Sequence, residues 1–395
     1  MQTYNGNSKN PWNRKLFPNF EYSDEEINYF DELVEKRPKF CEYSRNTTLD
    51  INTKRAALRI SPSVVALISY SGEEELCQGC GTIIEVDNDN NNFVFTSANL
   101  IRRPTREYIV ENNLADNLKV LVIVADGKSY GGEIVVHDFH YNILVLRFQS
   151  PLPLRAASLA HINDSLSLCV TEERSFELRP HAVKLVPGDP VVAFGRYSTS
   201  PFDIMAAPGI FSTDRSLLDC KELRLATCII TRCGEGGPLV NLSGQVIGMT
   251  YYDFSDDTPF LPINIMLKWW ELYKSRGKCC HPSLGFEATN LYAAELHIIE
   301  RVLKSFPNIW KGVIVEKVAS GSAAHSSGLL RDDVIVQCGD TKVESFLELL
   351  EILWARVGDS VELVIARANH ETLIHLNLTV AEAKTEELNS WPRWD

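Results

Sequence analysis

No run of apolar residues in this sequence approaches the ~20 that a helix needs to cross a lipid bilayer. Basic residues are scarce relative to acidic ones. The 39 lysines and arginines stand against 52 aspartates and glutamates, which gives a formal net charge of −13. Nucleic acids and anionic membrane surfaces are themselves negative, so a chain of this charge binds them poorly. We therefore expect neither a membrane span nor a nucleic-acid partner.

The first twenty residues lack the apolar core of a secretory signal peptide. The sequence accordingly predicts a cytoplasmic or nuclear protein. Import into an organelle is the weaker alternative, because this stretch carries Lys9, Arg14 and Lys15 and no acidic residue.

Ten cysteines dispersed over 395 residues do not form a disulfide framework, and we expect them to be reduced thiols. Cys77 and Cys80 have a spacing common among zinc ligands, and Cys279, Cys280 and His281 could complete a four-ligand site. The second group lacks the spacing of a zinc knuckle. We therefore expect thiols that pack as small apolar side chains, and no metal or other cofactor.

The distribution of polar, apolar and turn-forming residues along the chain predicts four segments. Residues 1–55 form a polar extension with one helix, Ser23 to Arg37, and residues 381–395 form a flexible polar tail. Residues 56–280 contain short apolar runs separated by Gly, Pro, Asn and Asp, which is typical of antiparallel all-β sandwiches or barrels. Residues 281–380 mix strands and helices. In the second segment the predicted strands include Val64–Ser69, Phe93–Thr96, Ile143–Phe148, Ser165–Val170, Val191–Gly195 and Ala226–Thr231, followed by a helix at Asn264–Arg276.

The strongest local signal runs from Cys233 to Gly248 and reads CGEGGPLVNLSGQVIG. It resembles the nucleophile loop of the trypsin-like fold as found in the HtrA (Do-like, or Deg) serine proteases, where the pattern is GNSGGPLVNLxGxVIG. The resemblance implies a mainly β protein with a double antiparallel β-barrel. It places Glu235 where the attacking serine belongs. It also implies that the backbone N–H groups of Cys233 and Glu235 form the oxyanion hole.

Two further segments resemble the same family. FVFTSANLI, from Phe93, is similar to its VLTNAHVV and places Asn99 at the position of the general-base histidine. DFHYNILVL, from Asp138, is similar to DxxxDLAVL and places Asn142 at the position of the orienting aspartate. An amide accepts no proton at neutral pH, and Glu235 is not a hydroxyl nucleophile. The resemblance therefore implies a protease scaffold whose three triad positions are all substituted.

Two hypotheses concern what the substituted pocket does. The Glu235 carboxylate could fold back and fill the oxyanion hole as an internal anion. Alternatively, Cys233 paired with His137 or His140 could form a relocated active site, although both histidines lie on the wrong strand to replace a base at 99. We expect those histidines to be solvent-accessible side chains at a strand edge.

The segment from 281 to 380 resembles the PDZ domain that follows the protease domain in this family. GVIV from Gly312 and GSAAHSSGL from Gly321 are close to the family's GVxV and GSPAxxAGL. Leu284, Gly285 and Phe286 are similar to the loop that binds a peptide's terminal carboxylate, beside which an extended peptide adds as a strand. A PDZ fold whose groove is blocked or unused is the alternative.

Taken together, the residues and the resemblance predict a double β-barrel followed by a small α+β PDZ domain. They predict a catalytically inactive pseudoprotease that acts as a polypeptide-binding scaffold, regulator or chaperone-like protein. The runner-up is an active endopeptidase of the family with a non-standard site, and a third possibility is a chain under no selection for its groove. The expected partners are polypeptide C-termini. A homo- or hetero-trimer is also implied by the family, with Trp12, Phe17, Phe20 and Tyr22 as candidate contacts.

Overall fold

The computed structural model describes residues 49–103, 112–169, 182–214, 216–253, 257–384 and 387–391. The predicted helix at Ser23–Arg37 and the four candidate trimer aromatics lie outside these residues. Within them, no helix is long and apolar enough to cross a membrane. In the same ranges, no three His, Cys, Asp or Glu side chains lie close enough together to hold a metal ion.

The first described element is a helix that the sequence pattern did not predict, α1 (Ile51–Ile60). Its N-cap is Asp50, whose carboxylate accepts hydrogen bonds from the backbone N–H groups of Asn52 and Thr53 at 2.8 and 3.1 Å. At the other end, Arg59 donates to the carbonyl of Ser243 at 3.1 Å. The helix therefore packs against a hairpin of the second barrel.

Two closed barrels of six antiparallel strands follow. Short runs rich in β-branched residues, separated by turns, explain why these segments pair rather than coil into helices, and strands such as β1, β13 and β14 are buried on both faces. The first barrel has the order β1-β2-β3-β6-β5-β4 and the second has the order β10-β11-β14-β13-β12-β9. The strands are β1 (Val64–Ser71), β2 (Glu74–Val86), β3 (Asn91–Ser97), β4 (Leu118–Ile123), β5 (Ser129–Asp138), β6 (Ile143–Gln149), β9 (Pro190–Arg196), β10 (Ile204–Ser212), β11 (Arg224–Ala226), β12 (Pro238–Asn241), β13 (Val246–Thr250) and β14 (Thr258–Pro262).

Two strand predictions between and within the barrels are wrong. Described residues 165–169 contain no strand, and a short parallel pair forms instead, β7 (His161–Asn163) with β8 (Ala182–Lys184). Of the predicted strand at Ala226–Thr231 only Ala226 lies in a strand, as the last residue of β11. Leu166 and Leu168 are half-buried, and Cys228 and Ile230 are buried, in irregular chain. A short apolar run does not distinguish such chain from a strand.

A helix, α2 (Ile263–Arg276), leaves the second barrel and ends at Gly277, whose φ of +71° gives the left-handed cap that glycine favours. Asn264 on this helix holds β7 in place, because its side chain bonds to both the N–H and the carbonyl of Ile162 at 2.8 and 3.0 Å. The same amide donates to Glu351 at 3.3 Å. It thereby ties the barrels to the last domain.

The last domain is a sheet of six strands with helices packed on it. β16 lies at one edge of the sheet order β16-β17-β18-β20-β21, and β19 pairs with β18. A separate short pair, β15 with β22, joins the start of this domain to its end. The elements are β15 (Pro282–Ser283), β16 (Phe286–Asn290), α3 (Leu296–Ser305), β17 (Val313–Val318), α4 (Ala323–Ser326), β18 (Val334–Cys338), β19 (Thr341–Lys342), α5 (Phe346–Ala355), β20 (Ser360–Ala366), β21 (Ile374–Thr379) and β22 (Ala381–Glu382).

Residues 381–384 and 387–391 do not behave as the expected flexible tail. β22 pairs with β15, and Trp391 is 1% exposed. The composition is polar, but one tryptophan removes enough apolar surface from water to hold the segment against the barrels.

A buried polar cluster joins the barrels, the linker and this segment. His281 Nε2 lies 2.8 Å from an Asp138 carboxylate oxygen, and the rings of His281 and His140 are 4.5 Å apart. The backbone N–H of Asn389 donates to Nδ1 of His140 at 3.3 Å. The expectation that His140 is a solvent-accessible edge residue is therefore wrong, since the linker and the segment from 387 cover it.

Acidification is expected to weaken this cluster through His140. The pKa of His140 is lowered to about 4, first by burial and then by the charge of His281, while Asp138 acts in the opposite direction. An unfolded histidine titrates near 6.5, so the unfolded chain takes up the proton first. The stability contributed by neutral His140 is complete above about pH 6.5 and is lost as the pH falls toward 4. Urea unfolding is expected to show a loss of about 2 kcal/mol between pH 7 and 4.5 from this group.

His140→Asn keeps an acceptor for the Asn389 N–H but does not titrate in this range. This variant is expected to show a flatter pH dependence, with His297→Asn on an exposed histidine of α3 as the control. An equally steep loss of stability in His140→Asn would contradict the assignment.

Candidate functional site: the substituted triad and the PDZ groove

The three triad positions are brought together from both barrels. Asn99 lies in a short 3₁₀ turn directly after β3, Asn142 lies in the turn before β6, and Glu235 lies in the loop before β12. Ser97 opens the 3₁₀ turn by accepting the N–H of Asn99 at 3.2 Å. The backbone of the turn is fixed against Asn142, whose carbonyl accepts the N–H of Ala98 at 3.0 Å.

The Glu235 carboxylate reaches across to the first barrel. Its Oε1 accepts a hydrogen bond from the Asn99 amide at 2.7 Å and from the Ser97 hydroxyl at 2.8 Å. The hypothesis that this carboxylate fills the oxyanion hole is therefore wrong. The two side-chain donors outcompete the hole because they lie on the facing barrel, within reach of the longer glutamate side chain.

The protonation of Glu235 is set mainly by burial. The residue as a whole is half-buried, but its carboxylate is enclosed between the barrels, and this loss of water raises its pKa. The hydrogen bonds from Ser97 and Asn99 oppose the shift, and the charges of Arg102 and Arg232 oppose it less. A carboxyl with these neighbours is an acceptor in a hydrogen-bonded bridge, and no proton relay leads away from it in the described residues.

Asn142 is separated from this bridge. It has a left-handed φ of +53°, and its Oδ1 accepts from Arg102 at 3.2 Å. Its Nδ2 is buried and has no hydrogen-bond partner among the described residues. The structure thus joins Asn99 and Glu235 by a hydrogen bond, whereas the side chain of Asn142 is directed to the guanidinium of Arg102.

Arg102 is a site residue that the sequence did not reveal. It is 1% exposed, its guanidinium lies 4.4 Å from the centre of the Phe139 ring, and it hydrogen-bonds Asn112 as well as Asn142. In the sequence it is one of two adjacent arginines after a short apolar run. No pattern distinguishes the buried arginine from its exposed neighbour, so only the fold identifies it.

The backbone of the loop before β12 does not form an open oxyanion hole. Residues Arg232–Gly234 form a 3₁₀ turn in which the N–H of Glu235 donates to the carbonyl of Arg232 at 3.0 Å. An N–H engaged in this turn cannot point at a developing oxyanion. Burial raises the pKa of the Cys233 thiol, so this cysteine is not an activated thiolate either.

The glycines of this loop serve packing between the barrels. Gly236 has a φ of +76°, and a Cβ there would lie 2.5 Å from the Thr96 hydroxyl and 2.6 Å from the Cys80 carbonyl. A Cβ on Gly237 would lie 2.1 Å from the carbonyl of Phe194. The backbone of the loop is therefore seated tightly on its neighbours even though the chemistry of the triad is absent.

The second candidate site is the edge of β16 in the last domain. On the loop before it, Gly285 has a φ of +67°, and its carbonyl accepts from the N–H of Ala319 and the hydroxyl of Ser322 at 2.9 and 3.1 Å. Leu284 is half-buried and Phe286 is buried against the core. No strand in the described parts of the chain pairs with the outer edge of β16, which is the edge an added peptide strand needs.

The barrels partly cover this groove. Arg224 of β11 lies over the Phe346 ring at 5.5 Å, and Trp354 at the far end of α5 donates to the carbonyl of Cys280 at 2.5 Å. A small, solvent-open cleft of about 70 Å³ runs along Glu287–Asn290 and is faced by Lys221 of the second barrel. The second barrel therefore borders the part of the PDZ domain that carries this strand edge.

Known proteins share both halves of this architecture. Residues 79–249 match a trypsin-like peptidase domain, and residues 282–378 match a PDZ domain. A Do-like protease of Arabidopsis thaliana is 29% identical over 334 residues, which cover 80% of this chain and 68% of the relative. The serine protease Do-like HtrA of Lactococcus lactis subsp. cremoris is 24% identical over 376 residues, which cover 87% of each chain.

Among solved structures, the HtrA-type protease AlgW with tripeptide aligns with 84% of this chain and 97% of its own, at a TM-score of 0.52 and 19% identity. That similarity shows the fold alone. The predicted fold class, a trypsin-like double barrel followed by a PDZ domain, is confirmed.

Glu235→Gln is expected to stabilise the protein at neutral pH. A carboxyl whose pKa is raised by folding contributes stability that is present below its unfolded pKa of about 4.5 and is lost as the pH rises through the folded pKa. Glutamine keeps an oxygen for Ser97 and Asn99 and carries no charge. Denaturant unfolding at pH 7.5 should show a gain of about 1 kcal/mol, and the difference between the two proteins should shrink at pH 4.

Glu235→Ala is the matched comparison, because it removes the acceptor of both hydrogen bonds. We expect it to lose about 1–3 kcal/mol at either pH. A destabilised Glu235→Gln at neutral pH would mean that the ionised carboxylate itself holds the barrels together.

Proposed function

Because this chain belongs to the HtrA (Do-like) family of trypsin-like proteins with a PDZ domain, we propose that it has lost peptide hydrolysis and acts by binding polypeptide segments. The observation that carries the proposal is the hydrogen bond between Glu235 and Asn99, at 2.7 Å. It occupies the position where a serine hydroxyl would face a histidine base. The work of the protein is then recognition, as a scaffold, regulator or chaperone-like partner.

Each triad position lacks the side chain that the serine-protease mechanism requires there. There is no hydroxyl nucleophile at 235, no proton acceptor at 99, and no orienting charge at 142. Removal of triad members leaves a residual rate roughly 10³–10⁴ above water, which comes from the oxyanion hole and substrate binding. The 3₁₀ turn at Arg232–Gly234 takes the Glu235 N–H out of that hole as well. We therefore infer that this pocket does not hydrolyse peptide bonds at a useful rate.

Binding is assigned to the PDZ domain on the geometry of β16. An extended peptide would pair with its outer edge, with the terminal carboxylate at Leu284–Phe286 and the side chains in the cleft along Glu287–Asn290. The cleft carries charges of both signs, Lys221 and Arg224 together with Asp214, Glu287 and Glu316, so recognition would depend on main-chain pairing and on the terminal carboxylate. The expected partners are polypeptides with a free C-terminus.

Restoring the triad side chains alone is expected to leave the protein nearly inactive. The purified chain should cleave neither a quenched peptide library nor unfolded casein. The variant Asn99→His, Asn142→Asp, Glu235→Ser should remain at least ~100-fold slower than an active family protease assayed beside it, because one oxyanion-hole donor is worth about 10²–10³ in rate. Turnover by the unmodified chain that Glu235→Ala abolishes would overturn the proposal and favour a non-standard active site.

Peptide binding is expected to depend on a free carboxylate and on Gly285. In fluorescence polarisation, a peptide with a free C-terminus should bind the full chain at least tenfold more tightly than the same peptide amidated. Gly285→Ala should abolish this difference, because its Cβ would lie 2.6 Å from that of Ser322 and reshape the loop.

Gly358→Ala is the matched control, since Gly358 also has a positive φ (+94°) but open space around it. Both variants should keep a cooperative thermal transition. Equal binding of the free-carboxylate and the amidated peptide by the unmodified chain would rule out the PDZ groove as the binding site.

A further inference from the structure

The outer face of α1 carries an exposed apolar strip. Ile51 and Leu58, which lie two helical turns apart on the same side, are 59% and 77% exposed. The opposite side of the helix, which includes Ala56 and Ile60, is buried against the hydrophobic core. The described part of the chain therefore leaves this strip open to solvent.

The strip is held in a fixed position. Just past the end of α1, the buried Arg196 of β9 donates from Nη2 to the carbonyl of Ser61 and from Nε to the carbonyl of Val64, both at 2.7 Å. Together with the Asp50 cap, these bonds fix both ends of the helix. A surface that is already ordered loses little conformational entropy when a partner binds to it.

The strip is basic, although the protein as a whole is acidic. α1 contains Lys54, Arg55 and Arg59 and no acidic residue, in a chain whose formal net charge is −13. By helical spacing, Lys54 and Arg55 flank the line that joins Ile51 to Leu58. The surface complementary to such a strip is an acidic amphipathic helix, which presents apolar side chains next to carboxylates.

The chain itself supplies a segment of this kind in the predicted helix Ser23–Arg37, which lies outside the described residues. This segment contains six acidic and two basic residues. At helical spacing, one side of it carries its apolar residues Ile27, Phe30, Leu33 and Val34.

The connection between the segment and α1 is long enough for the segment to fold back. Residues 38–49 span up to about 40 Å when extended. The ten residues of α1 are about 15 Å long. The segment can therefore reach any point on the outer face of the helix that follows it.

We propose that the outer face of α1 is a docking surface for the chain's own acidic segment Ser23–Arg37, which packs its apolar side on Ile51 and Leu58. The carboxylates of the segment then lie beside the cations of α1. This contact is separate from the PDZ groove and from the substituted triad, and it holds whether or not the proposed function of either is correct. The polar extension is then a docked part of the folded protein.

Photocrosslinking of the full chain identifies what covers the strip. Leu58 is replaced by the photoreactive amino acid benzoylphenylalanine, and ¹⁴N- and ¹⁵N-labelled copies are mixed before irradiation. Mass spectrometry is expected to find crosslinks from position 58 to residues 23–37 of the same copy. The matched control is the same replacement at Leu152, which is 73% exposed and follows β6, and it should not crosslink to that segment.

The other results of this experiment would overturn the proposal. Crosslinks that join a ¹⁴N copy to a ¹⁵N copy would show that a second copy of the chain covers the strip. Crosslinks from position 58 only to other segments, or none at all, would show that Ser23–Arg37 does not bind there.

Hydrogen exchange tests the contact from the side of the segment. In the full chain, amides within residues 23–37 should exchange about tenfold more slowly than in Phe30→Ser, because Phe30 lies in the middle of the apolar side. Tyr29→Ser is the matched control, since Tyr29 lies outside that side, and it should change the exchange less than about threefold.

Leu58→Glu should accelerate exchange in residues 23–37 as much as Phe30→Ser does. Because Leu58 is exposed, this variant should keep the cooperative thermal transition of the unmodified chain. Rapid exchange of residues 23–37 in the unmodified chain, or equal effects of Phe30→Ser and Tyr29→Ser, would contradict docking on α1.

Discussion

The arrangement of the site depends on the carboxylate of Glu235, which crosses from the second barrel to accept hydrogen bonds from Ser97 and Asn99 of the first. A serine at this position is too short to make that crossing and would instead face a base. With glutamate, the same loop becomes a polar link between the barrels. Burial opposes the charge on this link, and the two donors compensate for it in part. The interaction that joins the barrels is thus the one that excludes hydroxyl attack at this position.

The groups around Glu235 are also engaged in contacts that a serine-protease mechanism would not use. Arg102 holds the amide at position 142, where an orienting carboxylate would be directed at a histidine. The 3₁₀ turn before Glu235 uses the N–H that an oxyanion would need. The glycines at 236 and 237 nevertheless remain necessary, because the chain passes within van der Waals contact of Cys80 and Phe194. The loop keeps its backbone for packing reasons that are independent of catalysis, which explains how the motif can persist around a position that holds glutamate instead of serine.

Contacts between the domains hold this molecule together and border its candidate peptide site. The cluster of Asp138, His140 and His281 brings the linker onto the first barrel, and the segment ending at Trp391 is placed on top of it. Arg224 and Lys221 of the second barrel border the PDZ groove. The candidate peptide site is therefore built from more than one domain. The isolated PDZ domain would present the edge of β16 without the second-barrel residues that border it.

The sequence by itself determined the order of the two barrels and the PDZ domain, and the positions 99, 142 and 235, because both are written in local patterns: alternating apolar runs, glycine-rich turns and short motifs around each triad position. It did not determine where side chains point. That Glu235 bonds to Asn99, that Arg102 is buried beside Asn142, and that Trp391 packs on Tyr251 are contacts between residues 40 to 140 positions apart. Such contacts depend on how closed barrels and a docked domain bring distant segments together, and no local periodicity encodes that distance. Polar composition predicted a flexible tail at 381–395, whereas within the described residues β22 pairs with β15 and Trp391 is buried against Tyr251.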